Sequence, residues 1–60
     1  MEMKVWVCET WETDGYETWG ESISIWHSEE TAREYGQSVV GSATGAYWHK
    51  NYQVWEELVQ

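Results

Sequence analysis

Residues 21–35 read ESISIWHSEETAREY, and the spacing of the apolar side chains changes partway along. From residue 21 to 27 apolar and polar residues alternate, as in a strand with one face toward a core. After Ser28, Ala32, Tyr35 and Val39 fall at i, i+3 and i+7, which is one stripe of a helix. Ser28 stands where a cap accepts from the first free amides, and Glu29 and Glu30 occupy the positive end of the helix dipole. A strand thus runs directly into a helix, and the chain is read as α+β.

Upstream, residues 3–11 alternate again and are rich in β-formers, predicting a first strand. Asp14-Gly15 separates the two strands and is a strong hairpin signal. Downstream, Gly36 weakens the helix in its middle, Gly41 is expected to end it, and the stretch GSATG at 41–45 reads as loop. Residues 52–59 read as a last strand. A short extra strand at 46–48, turning at His49-Lys50-Asn51, is the optional element. The expected fold is a two-layer α+β domain spanning residues 1–60. Its antiparallel sheet has three or four strands with one helix on one face, in the order β-β-α-(β)-β.

Side chains alternate between the two faces of a sheet. Met3, Val5, Val7, Ile23 and Ile25 share one face by parity and, with Val54, are expected beneath the helix. Trp6, Cys8, Trp26, and Trp55 with Val59 are then expected on the uncovered face. An aromatic patch of that size marks an interface, so Trp6, Trp26 and Trp55 form a candidate second interface, suited to a homodimer. Matching the aliphatic residues across the hairpin requires paired residue numbers with an even sum, because a one-residue slip inverts every side chain. A two-residue Asp-Gly turn gives an odd sum. An odd-length loop is therefore expected, either Thr13-Asp14-Gly15 or one centred on Gly15 that pairs Trp11 with Trp19.

Eleven acids against three bases leave a net charge of −8. That excludes direct nucleic-acid binding, which depends on Lys and Arg, and disfavours an anionic membrane surface. It favours a protein partner with a basic surface. Eight acids lie between Glu9 and Glu34, whereas residues 35–55 hold none. Within the acidic part, Trp11, Tyr16 and Trp19 are interleaved with Glu9, Glu12, Asp14, Glu17 and Glu21. Aromatic anchors flanked by steering charges suit a recognition surface. These eight residues are the candidate partner-binding site.

No apolar run nears the roughly 20 residues of a membrane span and no opening stretch reads as a signal peptide, so a cytoplasmic location is expected. A single cysteine, Cys8, cannot staple the chain to itself, which fits a reducing compartment. An aromatic content of 17% argues against disorder. Catalytic and cofactor chemistry finds little support. Cys8 sits in mid-strand, where a thiol is inert filler, and no local motif joins it to His27 or His49. The same three residues lack the close spacing of a zinc site. GSATG has no following Lys-Ser/Thr and is not a phosphate cradle. No cofactor and no metal are expected, and the chain is read as non-enzymatic.

The helix start Ser28-Glu29-Glu30 with Ala32 and Tyr35, and a closing strand carrying Tyr52, Val54, Glu56 and Leu58, resemble the small ββαβ proteins of bacteriophage genomes. The resemblance spans most of the chain and implies no catalytic residues. It implies a host-directed inhibitor acting in the host cytoplasm on a nuclease, a CRISPR effector complex or another DNA-binding protein. Such a protein would act as an anti-CRISPR or a DNA mimic.

Overall fold

The computed structural model describes residues 3–41 and 48–59. It is α+β: β1 (Met3–Thr13), β2 (Thr18–Trp26), α1 (Glu29–Gly41) and β3 (His49–Val59) follow in that order. The three strands form an antiparallel sheet in the order β2-β1-β3, with α1 packed mainly over β3 and β1. The body is elongated, 46 × 20 × 12 Å.

The start of α1 follows from Ser28. Its Oγ accepts the Thr31 amide at 3.2 Å and its carbonyl accepts the Ala32 amide at 3.2 Å. The first contact satisfies an amide that has no partner within the helix, and the second is the first i→i−4 bond of α1. Arg33 reaches back one turn, and its Nε and Nη2 both donate to Glu29 Oε2, at 3.1 and 2.8 Å.

The faces of the sheet are reversed from the expectation. Cys8 lies opposite Ser24 and Val54, Trp6 opposite Trp26, and Thr10 opposite Tyr52, so these seven share one face. That face meets the helix: Trp26 stacks on Tyr35, with ring centroids 5.1 Å apart, and Tyr52 packs on Gly36. Val54 lies beneath α1 as expected. Met3, Val5, Val7, Ile23 and Ile25 are turned away from it, with Val7 directly across from Ile25 on one side and Trp55 on the other. The reason is area and fit. Burial is favourable in proportion to the apolar surface removed from water, and an aromatic ring covers more than a branched aliphatic side chain. The small residues Ala32 and Gly36 on α1 leave room for such rings, and both are buried. Trp26 also satisfies its indole N–H, which donates to Ser24 Oγ at 2.7 Å.

The hairpin reaches the even-sum register by another route. The loop is residues 14–17, four rather than an odd number, and Thr13 pairs with Thr18. Asp14 Oδ1 accepts the amides of Tyr16 and Glu17, both at 2.8 Å, and the Asp14 amide donates to the Glu17 carbonyl at 3.3 Å. One carboxylate thereby organises the four-residue turn, which neither odd-length loop would allow. Beyond it, Glu12 pairs with Trp19 but Thr10 with Ser22, so Gly20 and Glu21 together oppose Trp11. This bulge inserts one residue and restores the pairing of Val7 with Ile25. Gly20 adopts φ +66°, a left-handed conformation that glycine enters without a Cβ penalty.

At the other end β3 begins at His49, so residues 49–51 are strand rather than a turn. Of the optional strand at 46–48, Ala46 and Tyr47 lie outside the described residues, as does most of GSATG, and Trp48 belongs to no strand. Gly41 is the last helical residue.

Candidate functional site

Among the described residues no helix or strand lies over the sheet face away from α1, the open face. Its centre is aliphatic. Val5 and Val7 on the central strand are only 7% exposed, whereas Ile23 and Ile25 on the edge strand are 63% and 67% exposed. Trp55 stands on the same face across from Val7, and its indole N–H donates to Glu57 Oε1 at 2.9 Å. Of the three candidate second-interface residues, only Trp55 is therefore on the open face. Trp6 and Trp26 are directly opposite one another on the covered face and half-buried.

Toward the hairpin the open face becomes acidic. Glu9, Trp11, Thr18, Glu21 and Gln53 line a cleft of about 350 Å³. Glu9 Oε1 accepts from Gln53 Nε2 at 2.7 Å, a cross-strand contact that orients its carboxylate. The bulge helps to shape this cleft. In an uninterrupted even-sum register Trp19 would stand across from Thr13 on the open face. With the extra residue, Thr18 takes that position and Trp19 moves to the helix side, opposite Glu12. A threonine thus lines a cleft that an indole would otherwise fill.

The eight candidate partner-binding residues are consequently divided. Glu9, Trp11 and Glu21 meet at the cleft. Asp14, Tyr16 and Glu17 occupy the turn, with Tyr16 96% exposed. Glu12 and Trp19 lie on the helix side, where Glu12 faces Lys50 across the β1–β3 ladder. The hairpin is not a free two-stranded arm, because β3 accompanies β1 as far as Thr13 and Val39 reaches the neighbourhood of Thr10 and Glu12. The alternating pattern marked these residues as a group, but only the bulge decides which of them share a surface.

Cations are distributed unevenly. Lys4 and Lys50 are on the covered face by strand register, and Arg33 is on α1 itself. Lys4 pairs with Glu56 at 3.5 Å and Arg33 with Glu29 at 2.8 Å. The chain has only these three Lys and Arg residues, so the open face carries Glu9, Glu21 and Glu57 and none of the bases. This asymmetry, invisible in the net charge, was missed by sequence reasoning. Its signal was the even numbering of Lys4 and Lys50, which is informative only once the covered parity is known.

Among the titrating groups, the amides of Glu17 and then Tyr16 hold the Asp14 carboxyl below the usual aspartate range. Burial pushes the Cys8 thiol up, and the side chain is 0% exposed. Among the described residues no group of three or more His, Cys, Asp or Glu side chains is placed to hold a metal ion, and no helix is long and apolar enough to cross a membrane. Comparison with protein-family models, curated proteins and solved structures finds no match in any of the three.

Proposed function

We propose that the protein is a non-enzymatic interaction protein that covers a basic, nucleic-acid-binding site on another protein. The observation that carries this reading is the charge asymmetry of the fold. Glu9, Glu21 and Glu57 lie on a sheet face without Lys or Arg, and Asp14 and Glu17 extend it at the turn. Beside these acids lies an apolar strip formed by the exposed Ile23 and Ile25 with the part-exposed Trp55, over the buried Val5 and Val7. The 46 × 20 Å outline of the molecule is on the scale of the roughly 800 Å² that one partner buries in a standard complex. Carboxylates would meet the partner's Lys and Arg, raising the encounter rate, while the apolar strip contributes affinity. Such a surface fits the context implied by the resemblance to small phage proteins, a host-directed inhibitor of the anti-CRISPR or DNA-mimic kind.

The second reading is a homodimer through the same open face, favoured by the exposure of Ile23 and Ile25. Two copies face to face would bring acids against acids with no Lys or Arg on that face to separate them, which makes an unlike partner the better fit.

The test is capture of partners from a bacterial lysate at low and high salt, followed by DNA-competition assays with each purified partner. The reading requires a captured partner that loses DNA in proportion to added protein, with binding weakened by salt and abolished by the double substitution Glu9→Lys, Glu21→Lys. Partners that keep their DNA, or a mass that doubles with concentration irrespective of partner, would sink it.

A further inference from the structure

We propose that the cleft lined by Glu9, Trp11, Thr18, Glu21 and Gln53 receives an arginine side chain of the partner, with its guanidinium against the Trp11 indole. The inference deepens the interaction reading and rests on it for the identity of the donor as a protein.

The cleft is a built feature. It holds about 350 Å³, at the lower end of the roughly 300–1,000 Å³ of ligand sites. All three strands contribute to it: Glu9 and Trp11 from β1, Thr18 and Glu21 from β2, and Gln53 from β3. The bulge at Gly20 sends Trp19 to the other face and leaves a threonine in its place. Without that extra residue an indole would occupy the space.

The lining chemistry selects a flat cation. Glu9 and Glu21 bring two negative charges to the cleft, and neither belongs to an ion pair among the described residues. Gln53 holds one oxygen of Glu9, so that carboxylate is already oriented before a ligand arrives. Trp11 offers the ring type that attracts cations best. A guanidinium can lie flat on an indole while its N–H groups fork toward carboxylates, whereas an ammonium is a compact, strongly hydrated point charge. An anion is repelled, and among the described residues no third His, Cys, Asp or Glu joins the two carboxylates to hold a metal ion.

The probe is N-acetylarginine amide, titrated into the ¹⁵N-labelled 60-residue protein while amide and indole signals are followed by NMR. Signals of Trp11, Thr18 and Gln53 are expected to move together and to saturate in the millimolar range, as suits one side chain. N-acetylcitrulline amide, which has nearly the same shape without the charge, should leave them unmoved. Glu21→Gln, at an exposed position, should weaken arginine binding about fivefold while leaving the remaining spectrum unchanged. Equal shifts with the citrulline derivative, equal binding of N-acetyllysine amide, or shifts that avoid Trp11 would each overturn the assignment. If the arginine probe fails while the protein still displaces DNA from a captured partner, the cleft assignment falls and the interaction reading stands. If the probe binds at Trp11 and no partner is displaced, the interaction reading falls and the cleft remains an arginine site.

Discussion

Gly36 of α1 lies against the ring of Tyr52 on β3, so closely that a methyl group built on Gly36 would overlap the ring. In sequence this glycine weakens the middle of the helix. In the fold it is what allows the helix to approach the sheet, and the cost in helix propensity, about 1 kcal/mol, is offset by burial of the tyrosine.

Replacing Gly36 with Ala should therefore destabilise the protein although alanine is the better helix former. The expected loss is about 1–3 kcal/mol in chemical denaturation, as for overpacking elsewhere. Tyr52→Leu should lose some stability alone but relieve part of the loss in the double variant. A double-mutant cycle with no coupling between the two sites would contradict the contact.

The reversal of the faces is tested by comparing substitutions of opposite parity. Ile23→Thr and Ile25→Thr change exposed positions and should each alter stability by less than about 0.5 kcal/mol. Trp26→Ala removes the indole stacked on Tyr35 and should cost roughly 2–4 kcal/mol. Thermal unfolding followed by circular dichroism distinguishes the two. The opposite ranking would place Ile23 and Ile25 in the core.

At Gly20 the left-handed backbone, rather than lack of space, sets the outcome. A Cβ there would come within 2.6 Å of Glu12 Oε2, the movable end of a long side chain, so the clash alone is readily relieved. The φ of +66° remains, and Gly20→Val should cost about 1–2 kcal/mol or more. If the bulge is lost as a result, Trp19 returns to the open face. Its indole protons would then give nuclear Overhauser contacts to the Thr13 side chain on the open face, whereas in the parent protein they should give them to Glu12 on the helix side.

The turn at Asp14 should depend on pH in a defined direction. Its carboxyl is held below the usual value by the Glu17 and Tyr16 amides. A depressed acid contributes stability that is fully present above its unfolded pKa, and this is lost as pH falls through the lower folded value. The Tyr16 and Glu17 amide signals should titrate together below the normal aspartate range. Asp14→Ala should abolish that titration and increase hydrogen exchange in the loop without unfolding the sheet. Unchanged amide titration in Asp14→Ala would mean another group organises the turn.

Cys8 offers a probe of the covered face. It is fully buried and its thiol is pushed up by desolvation, so it should react with a disulfide reagent at mildly alkaline pH far more slowly in the folded protein than in denaturant. Equal rates would place the thiol at the surface.

The α+β class and the existence of β1, β2, α1 and β3 were legible in the sequence because they are local, whereas the start of β3 at His49, read as a turn, was not. Alternation at 3–11 and 21–27, the Ser28 cap and the stripe through Ala32, Tyr35 and Val39 each depend on neighbours a few residues apart. The even parity of the pairing was legible too, but not the register: the two odd-length loops would set Val7 across from Glu21 or Ile23, whereas the structure sets it across from Ile25. A period of two, however, declares that a strand has two faces without saying which one a helix will cover. That choice was made by contacts between distant parts of the chain: Trp26 on Tyr35, Tyr52 on Gly36, and aromatic rings offering more area for burial than branched aliphatics. The same holds for the candidate site. The acids and indoles of residues 9–21 were visible as a group, but the four-residue turn and the Gly20 bulge decided that Trp11 shares a cleft with Glu9 and Glu21 while Trp19 leaves it. Local propensity sets what each segment is. Only packing, which weighs one whole face against the other, sets what each segment shows to the outside.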